Sequence, residues 1–165
     1  MAVREILCFP DPRLRAVAER VNSFDDGLRA LANDLLETMR AAPGIGMTAP
    51  HIGVLQRLVT IELPGEAVCF YVNPQIDWGS AEMVRHAEGS VSMPGVTDDV
   101  ERPARIRLRY QDLAGREEVA EATGLLAVCL QHEIDQLDGI FWLYRLSRLR
   151  RDRLIKRFRK LRRSS

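Results

Sequence analysis

The sequence predicts a single α+β domain, and three observations favour this fold class. The chain has 165 residues, which is enough for one domain with its own core and few for two. Apolar residues make up 46% and charged residues 28%, as is typical of a globular protein. One helical pattern is followed by strand-like runs and then by two more helical patterns, with no repeat or linker between them. Residues 1–165 are therefore predicted to form one domain.

The first quarter of the chain is predicted to contain one helix. Residues 1–24 are punctuated by prolines and are predicted to be irregular. The helix begins near Phe24–Asp26, where two acidic residues suit a helix N-terminus. Its apolar face recurs at helical spacing and consists of Leu28, Leu31, Leu35 and Met39. Pro43 and Gly44 end the helix, and the segment 44–53 (GIGMTAPHIG) is too rich in glycine and proline for a regular element.

The middle of the chain predicts strands. Residues 57–63 (RLVTIEL) and 67–74 (AVCFYVNP) are dense in β-branched and aromatic side chains, with a Pro-Gly turn between them. Residues 105–112 (RIRLRYQD) alternate apolar and arginine side chains, which predicts a strand with one buried face. The side chains predicted to point inward are Ile106, Leu108 and Tyr110.

The last third of the chain predicts the end of a strand and two helices. The segment that starts at Glu117 runs from a strand into a helix that carries LQHEIDQLDG and is closed by Gly139. The final helix, within residues 145–163, is amphipathic and basic. Its predicted apolar stripe consists of Leu146, Leu149, Leu154, Phe158 and Leu161.

The charge of the chain is unevenly distributed. The net charge is +1, but residues 145–163 hold eleven Lys or Arg and a single acid, a charge of +10. The remaining 13 basic and 22 acidic residues carry −9. Clustered cations neutralise phosphates without needing a particular sequence, so this basic helix indicates either contact with RNA or a solvated helix docked on the body.

Cysteine usage and hydropathy favour a cytoplasmic protein with no membrane contact. The three cysteines, Cys8, Cys69 and Cys129, are widely spaced and odd in number, which favours reduced, buried thiols. No run approaches the ~20 apolar residues of a membrane span. The N-terminal stretch is broken by charges and prolines and does not have the pattern of a signal peptide.

The stretch LQHEIDQLDG carries the first chemical signal. Positions 132 and 136 share a helix face, and two histidines so placed can bind one metal ion while a neighbouring glutamate takes a proton from metal-bound water. His132 and Glu133 fit this pattern, but position 136 is Gln136. Alone, a His-Glu pair on a helix is as typical of structure as of function.

Two further segments, together with this one, make a functional interpretation stronger. Residues 44–53 (GIGMTAPHIG), 88–95 (EGSVSMPG) and 131–139 (QHEIDQLDG) resemble the three signature motifs of the peptide deformylase family: G-x-G-x-A-A-x-Q, E-G-C-L-S and H-E-x-x-H with L-D-G. The resemblance extends to DPRLRAVAERV, YVNPQI and DRLIKRFRKL and so covers essentially the whole chain. It implies an α+β deformylase fold, with antiparallel strands around a central helix bearing His132 and Glu133.

The resemblance also implies a function and a set of site residues. Members of the family remove the formyl group from the N-terminal formylmethionine of nascent proteins, using a divalent metal such as iron, nickel or zinc. By position, the metal ligands become Ser90, His132 and Gln136, and Glu133 becomes the general base. The donors to the oxyanion become His51 and the N–H of Val91. The basic C-terminal helix of bacterial members docks on the ribosome, which makes ribosomal RNA a candidate partner.

Two of the three ligand positions are altered. A serine hydroxyl hardly ionises near pH 7, and an amide oxygen is a poor substitute for imidazole on iron or zinc. We therefore expect the metal to be absent or weakly bound and conventional deformylation to be slow. His51 leaves three alternatives open: a replacement ligand, a base toward Ser90 in a serine-type hydrolase, or a pocket refilled with hydrogen-bonding residues.

The peptide-binding features are expected to survive. Gly44 and Gly46 permit close approach of a peptide backbone, and the strand edge at 88–91, which includes Glu88 and Gly89, can pair with an extended peptide. The pocket for the methionine side chain is implied to be lined by Ile45, Leu125, Val128 and Cys129, which could equally be plain core. The function is then either that of a divergent hydrolase or that of a non-catalytic protein that binds nascent N-termini or the ribosome.

Overall fold

The computed structural model describes residues 2–164 and contains three helices and seven strands. The helices are α1 (Asp26–Ala41), α2 (Gly124–Leu137) and α3 (Arg148–Arg163). The strands are β1 (Gly46–Thr48), β2 (Leu58–Ile61), β3 (Cys69–Gly79), β4 (Met83–Ser90), β5 (Met93–Pro103), β6 (Arg105–Gln111) and β7 (Glu117–Thr123). Short 3-10 turns lie at Pro12–Arg15, Ala49–Ile52 and Trp142–Arg145.

The strands form two antiparallel sheets around helix α2. A five-stranded sheet has the order β1-β2-β3-β6-β7, and β4 and β5 form a separate hairpin. Helix α2 lays Leu130, Ile134 and Leu137 on the five-stranded sheet, against Ile106 and Leu108. This arrangement confirms the predicted α+β fold with antiparallel strands around a central helix.

Local chemistry explains the elements that were predicted from sequence. The side chain of Asp25 caps helix α1 by accepting the N–H of Leu28 at 3.0 Å, and the whole predicted apolar face of α1 is buried. In β6 the side chains of Ile106 and Leu108 are buried while the alternating arginines are exposed. Gly139 ends α2 with φ of 78°, the left-handed conformation expected after a helix.

One prediction of irregular structure is wrong, and two strands lie in a region to which no element was assigned. Segment 44–53 contains strand β1 and a 3-10 turn, because β1 pairs with β2 and buries Met47 despite the glycines around it. The hairpin of β4 and β5 was not predicted at all, since charged residues such as Glu88 and Arg102 occupy its buried positions. Its apolar and polar residues therefore do not alternate as in an ordinary half-buried strand.

Helix α3 is docked on the body but differs from the predicted pattern. It begins at Arg148, after the side chain of Ser147 accepts the N–H of Arg150 at 3.3 Å. Leu154 and Phe158 are buried with Val96, Val100 and Trp142. The predicted stripe is wrong for two members: Leu149 is 69% exposed and Leu161 is 45% exposed.

The cysteines and the helices bear on two further expectations from the sequence. Cys8, Cys69 and Cys129 are free thiols, but they are half-buried rather than buried. Within residues 2–164, no helix combines the length and the apolar character needed to cross a bilayer.

The docking of α3 is testable by paired truncations. Phe158→Ala should lower the free energy of unfolding by about 3–5 kcal/mol, because a ring that is 3% exposed would leave a cavity. Leu149→Ala should change it by less than about 0.5 kcal/mol, because that side chain already faces solvent. Chemical denaturation of both variants measures the difference, and equal losses would contradict the docking.

Candidate active site

A cavity of about 380 Å³ lies between helix α2, strand β1 and the β4–β5 hairpin. Both flanking strands have an unpaired side, since β1 is the edge of its sheet and β4 pairs with β5 alone among the named strands. Thirteen of the fourteen predicted site residues line the cavity: Gly44, Ile45, Gly46, His51, Glu88, Gly89, Ser90, Val91, Leu125, Val128, Cys129, His132 and Glu133. Their individual roles remain predictions. Gln136 is the one that lies elsewhere.

Helix α2 supplies one wall of the cavity. Leu125, Val128, Cys129, His132 and Glu133 recur at helical spacing and face the cavity, while the opposite side of the helix packs on the sheet. Strand β1 crosses close to this wall at a glycine. A Cβ atom at position 46 would lie 3.0 Å from Glu133 Oε1, so a larger residue would displace that carboxyl group.

Glu88 fixes the orientation of His132. The Nδ1 atom of His132 lies 2.9 Å from Glu88 Oε1, and its Nε2 atom lies 4.0 Å from Glu133 Oε1. Burial alone would lower the pKa of His132, but the hydrogen bond to Glu88 and the charges of Glu133 and Glu88 outweigh burial and raise the pKa. The imidazole is therefore held by one carboxyl group and faces a second.

A buried ion-pair network holds Glu88 in turn. Arg102 donates two hydrogen bonds to the Glu88 carboxylate, at 2.5 and 2.8 Å, and one to Asp135 at 2.9 Å. Arg145 donates two more to Asp135, at 2.6 and 2.8 Å. Burial would raise the pKa of Glu88, but Arg102 and His132 outweigh it and lower the pKa to about 2. The network ties β4 and β5 to helix α2.

Glu133 is a buried carboxyl group with an unused oxygen. The residue is 5% exposed, and its Oε2 atom has no hydrogen-bond partner in the described chain. Burial raises the pKa of Glu133 to about 7, with the charge of Glu88 adding to the rise and His132 opposing it. Such a group can gain or lose a proton near neutral pH, as a general base must.

His51 is buried as a neutral imidazole. The backbone N–H of Thr48 donates to its Nδ1 atom at 3.0 Å, and the Thr48 hydroxyl lies 2.8 Å from the same nitrogen. This hydrogen bond assigns the remaining ring proton to Nε2, which has no partner within residues 2–164. Burial, with the nearby charge of His132, lowers the pKa of His51 to about 3.

The cavity hydroxyl and thiol are not activated as nucleophiles. Ser90 Oγ accepts the N–H of Ser92 at 3.0 Å, and no hydrogen bond joins it to His51 in the described chain. Burial, with the charges of Glu133 and Glu88, raises the pKa of Cys129 to about 12, which keeps the thiol protonated.

Gln136 is not among the residues that line the cavity, and its role as a ligand stays a prediction. Its side chain is buried and donates from Nε2 to the carbonyl oxygen of Leu14 at 2.6 Å. The 3-10 turn at Pro12–Arg15 runs close to the end of α2, where the backbone oxygen of Arg15 would lie 2.6 Å from a Cβ at Gly139. The amide therefore serves as a link between the N-terminal segment and α2.

The residues present do not fit the three-ligand metal site that the resemblance implies. Of the three positions, His132 alone presents a strong ligand to the cavity, because Ser90 offers a neutral hydroxyl and Gln136, whose amide nitrogen donates to Leu14, is not among the lining residues. Among residues 2–164, no cluster of three His, Cys, Asp or Glu side chains has a geometry suited to a metal ion.

Five lining residues were missed by sequence reasoning: Ala42, Pro43, His86, Ala87 and Pro94. His86 could have been found, because it lies two residues before Glu88 and a strand repeats every two residues. The other four are alanines and prolines, and their place in the cavity depends on the tertiary structure.

The fold and the site combine two antiparallel sheets with a central helix whose His132 and Glu133 face a cavity. The family model of polypeptide deformylase matches residues 3–152. A peptide deformylase-like protein of Brucella melitensis is 68% identical, over 99% of this chain and 100% of that protein. A peptide deformylase of Phenylobacterium zucineum is 46% identical, over 97% of each.

Solved structures agree with the sequence relatives. The crystal structure of a peptide deformylase from Legionella pneumophila is similar with a TM-score of 0.93 and 38% identity, covering 98% of this chain and 96% of that one. The chain belongs to the peptide deformylase family.

Replacing Arg102 tests the buried network. Arg102→Met should lower the free energy of unfolding at pH 7 by about 3–5 kcal/mol, because it leaves buried carboxylates without their cation. Glu88 has a folded pKa far below its ordinary 4.5, so its contribution is complete above pH 4.5 and is lost as the pH falls toward 2. The deficit should therefore shrink between pH 7 and pH 3.

The matched control for Arg102→Met is Arg107→Met. The Arg107–Glu121 pair is exposed, so its loss should cost less than about 1 kcal/mol. Urea unfolding at both pH values gives the free energy of unfolding of the two variants. If both variants lose a similar amount, the buried network does not stabilise the protein more than an exposed ion pair does.

Proposed function

We propose that this chain is a divergent peptide deformylase homologue that binds peptide N-termini and removes N-formyl groups weakly. The observation that carries the proposal is the contrast between an open, largely apolar cavity that contains Glu133 and a metal-ligand set reduced to His132. The cavity volume of about 380 Å³ lies within the range of roughly 300–1,000 Å³ typical of small-molecule sites.

Peptide binding is supported by the walls of the cavity. The unpaired sides of β1 and β4 can each offer backbone N–H and C=O groups to an extended peptide between them. Ile45, Leu125 and Val128 supply an apolar surface for the first side chain of that peptide.

Weak hydrolysis is supported by what remains of the reaction machinery. Glu133 and Val91 both line the cavity, and His51, which stands at the position of the family glutamine, has an Nε2 atom with no hydrogen-bond partner in the described chain. In the family the bound metal makes water acidic enough to give up its proton near pH 7, and a carboxyl group alone does not. Water facing Glu133 without a metal is therefore a poor nucleophile.

The serine-type alternative has less support. It requires a base that hydrogen-bonds the serine hydroxyl, whereas Ser90 accepts a backbone N–H and His51 is bonded to Thr48. We therefore keep it as an outcome of the assay below, where Ser90→Ala would abolish the activity.

A formyl-methionyl peptide assay tests the proposed function. Protein purified without added metal should contain less than stoichiometric iron, nickel or zinc, and adding these metals should leave formate release slow. Any residual activity should disappear in Glu133→Gln, which keeps the shape of the side chain. Stoichiometric metal and rapid formate release from the unaltered chain would overturn the proposal.

Restoring the family residues in the same assay tests whether the rest of the cavity is intact. The triple variant Ser90→Cys, Gln136→His and His51→Gln should regain metal and activity if only the metal ligands were lost. Gln136→His must also leave its contact with Leu14 and turn into the cavity. Recovery of metal and activity would show an intact scaffold, and recovery of neither would show that the cavity itself has diverged.

The basic face of α3 favours a second, compatible role in ribosome contact. Leu154 and Phe158 fix the helix to the body, while an exposed row of basic side chains points away from it: Arg148, Arg153, Lys156, Arg157, Arg159, Lys160 and Arg163. Such a row can neutralise RNA phosphates without reading a sequence.

Salt dependence tests this contact. Binding to purified ribosomes should fall steeply with salt, and the double variant Lys156→Glu, Arg159→Glu should flatten the log–log slope by about two units. The double variant Arg85→Glu, Arg107→Glu changes the net charge equally on other surfaces and should bind as the unaltered protein does. If the two double variants weaken ribosome binding equally, or if binding does not change with salt, the proposed contact through α3 is contradicted.

A further inference from the structure

We propose that Arg15, Tyr144 and Arg151 form a phosphate-binding site for RNA, next to the exposed basic row of α3. The inference rests on the proposed ribosome contact, since it takes the RNA of the ribosome as the partner. It extends the contact surface from one helix to the N-terminal segment of the chain, and it assigns a function to an aromatic ring outside the cavity.

Two arginine side chains from distant parts of the chain meet at the ring of Tyr144. The guanidinium carbon of Arg15 lies 4.2 Å from the ring centroid, and that of Arg151 lies 5.1 Å from it. The two arginines come from the 3-10 turn Pro12–Arg15 and from the first turn of α3, and the ring belongs to the turn Trp142–Arg145. Three segments of the fold therefore bring two cations to one aromatic side chain.

These two cations lack the acidic partner that neighbouring arginines have. Arg13, two residues before Arg15, pairs with Asp11. In the part of the chain that the structure describes, neither Arg15 nor Arg151 forms an ion pair with a carboxylate. Because like charges repel, two unpaired guanidinium groups beside one ring leave a positive charge that an anion can neutralise.

The ring holds the guanidinium groups in place for a ligand with several acceptor oxygens. A guanidinium plane stacks on an aromatic ring, and this contact restricts the direction of its N–H donors. Arg151 is half-buried, so its side chain loses little further freedom when a ligand binds. A phosphate group can accept two parallel N–H bonds from one arginine. Neither guanidinium group has to leave a carboxylate to make these bonds.

The position beside α3 favours RNA over an acidic protein as the anionic partner. Arg148 lies three residues before Arg151, one helical turn away, and it belongs to the exposed basic row. The cations therefore continue from the N-terminal segment along the helix. RNA carries a negative charge at each phosphate of its backbone, so one strand can contact such a surface at several points. An acidic protein segment carries its charges on side chains alone.

Neutral substitutions measured on purified ribosomes test the inference. The double variant Arg15→Gln, Arg151→Gln should raise the Kd about tenfold at low salt and reduce the log–log salt slope by about one unit, because one phosphate contact is lost. The control double variant Arg85→Gln, Arg107→Gln removes the same charge from other surfaces and should bind as the unaltered full-length protein does. Thermal unfolding shows whether each variant is folded.

Variants of the ring separate an organised site from simple positive charge. Tyr144→Leu leaves the net charge unchanged but removes the ring, and it should weaken ribosome binding by about threefold, the size of a surface cation–π contact. Tyr144→Phe keeps the ring and should bind normally. Polyuridylate should release the protein from ribosomes, whereas polyglutamate at the same concentration of charge should release far less.

The outcomes separate the inference from the proposed ribosome contact. If the protein does not bind ribosomes, or if Lys156→Glu, Arg159→Glu leaves binding unchanged, the ribosome contact fails and the inference fails with it. If that variant weakens binding while Arg15→Gln, Arg151→Gln behaves as its control does, the inference alone is overturned. Normal binding by Tyr144→Leu, or equal release by polyglutamate and polyuridylate, also overturns it, because the site would then not depend on the ring or would not select RNA.

Discussion

The guanidinium group of Arg102 bonds Glu88 from the hairpin and Asp135 from helix α2, and all three residues are buried. This contact joins the two halves of the cavity, because β4 forms one wall and α2 forms the other. It also places the Glu88 carboxylate against His132 Nδ1, which leaves the other ring nitrogen near Glu133. A buried cation between two carboxylates is costly to desolvate, and it is stable here because each partner is hydrogen-bonded.

Around this network the site has changed unevenly. Glu88, which contacts His132, and Glu133 both line the cavity together with apolar residues. The changes fall on the side chains that would face a metal, and one of them, Gln136, now connects helix α2 to Leu14. A chain altered in this way keeps a shaped cavity with unsatisfied polar atoms. On these grounds we propose binding of peptide N-termini with slow hydrolysis.

Elements of the fold and site could be predicted from the sequence where the residues that determine them lie close together in the chain. Helix α1 and strand β6 were predictable because a local cap and a strict alternation of side chains define them. The β4–β5 hairpin was not, since Glu88 and Arg102 occupy buried positions where the pattern requires apolar residues. The direction of Gln136 was not predictable either. Its partner is 122 residues away, and a ligand motif on a helix gives no information about such a contact.

We propose that this cavity binds a formylated N-terminus without needing a metal and releases formate slowly. Equilibrium binding of a formyl-methionyl peptide to chelator-treated protein, with formate followed in the same sample, tests it most directly. We expect the peptide to bind equally well before and after chelation, and we expect little formate to appear during the measurement. Binding that disappears with the chelator, or formate release that a metal restores to many turnovers, would contradict it.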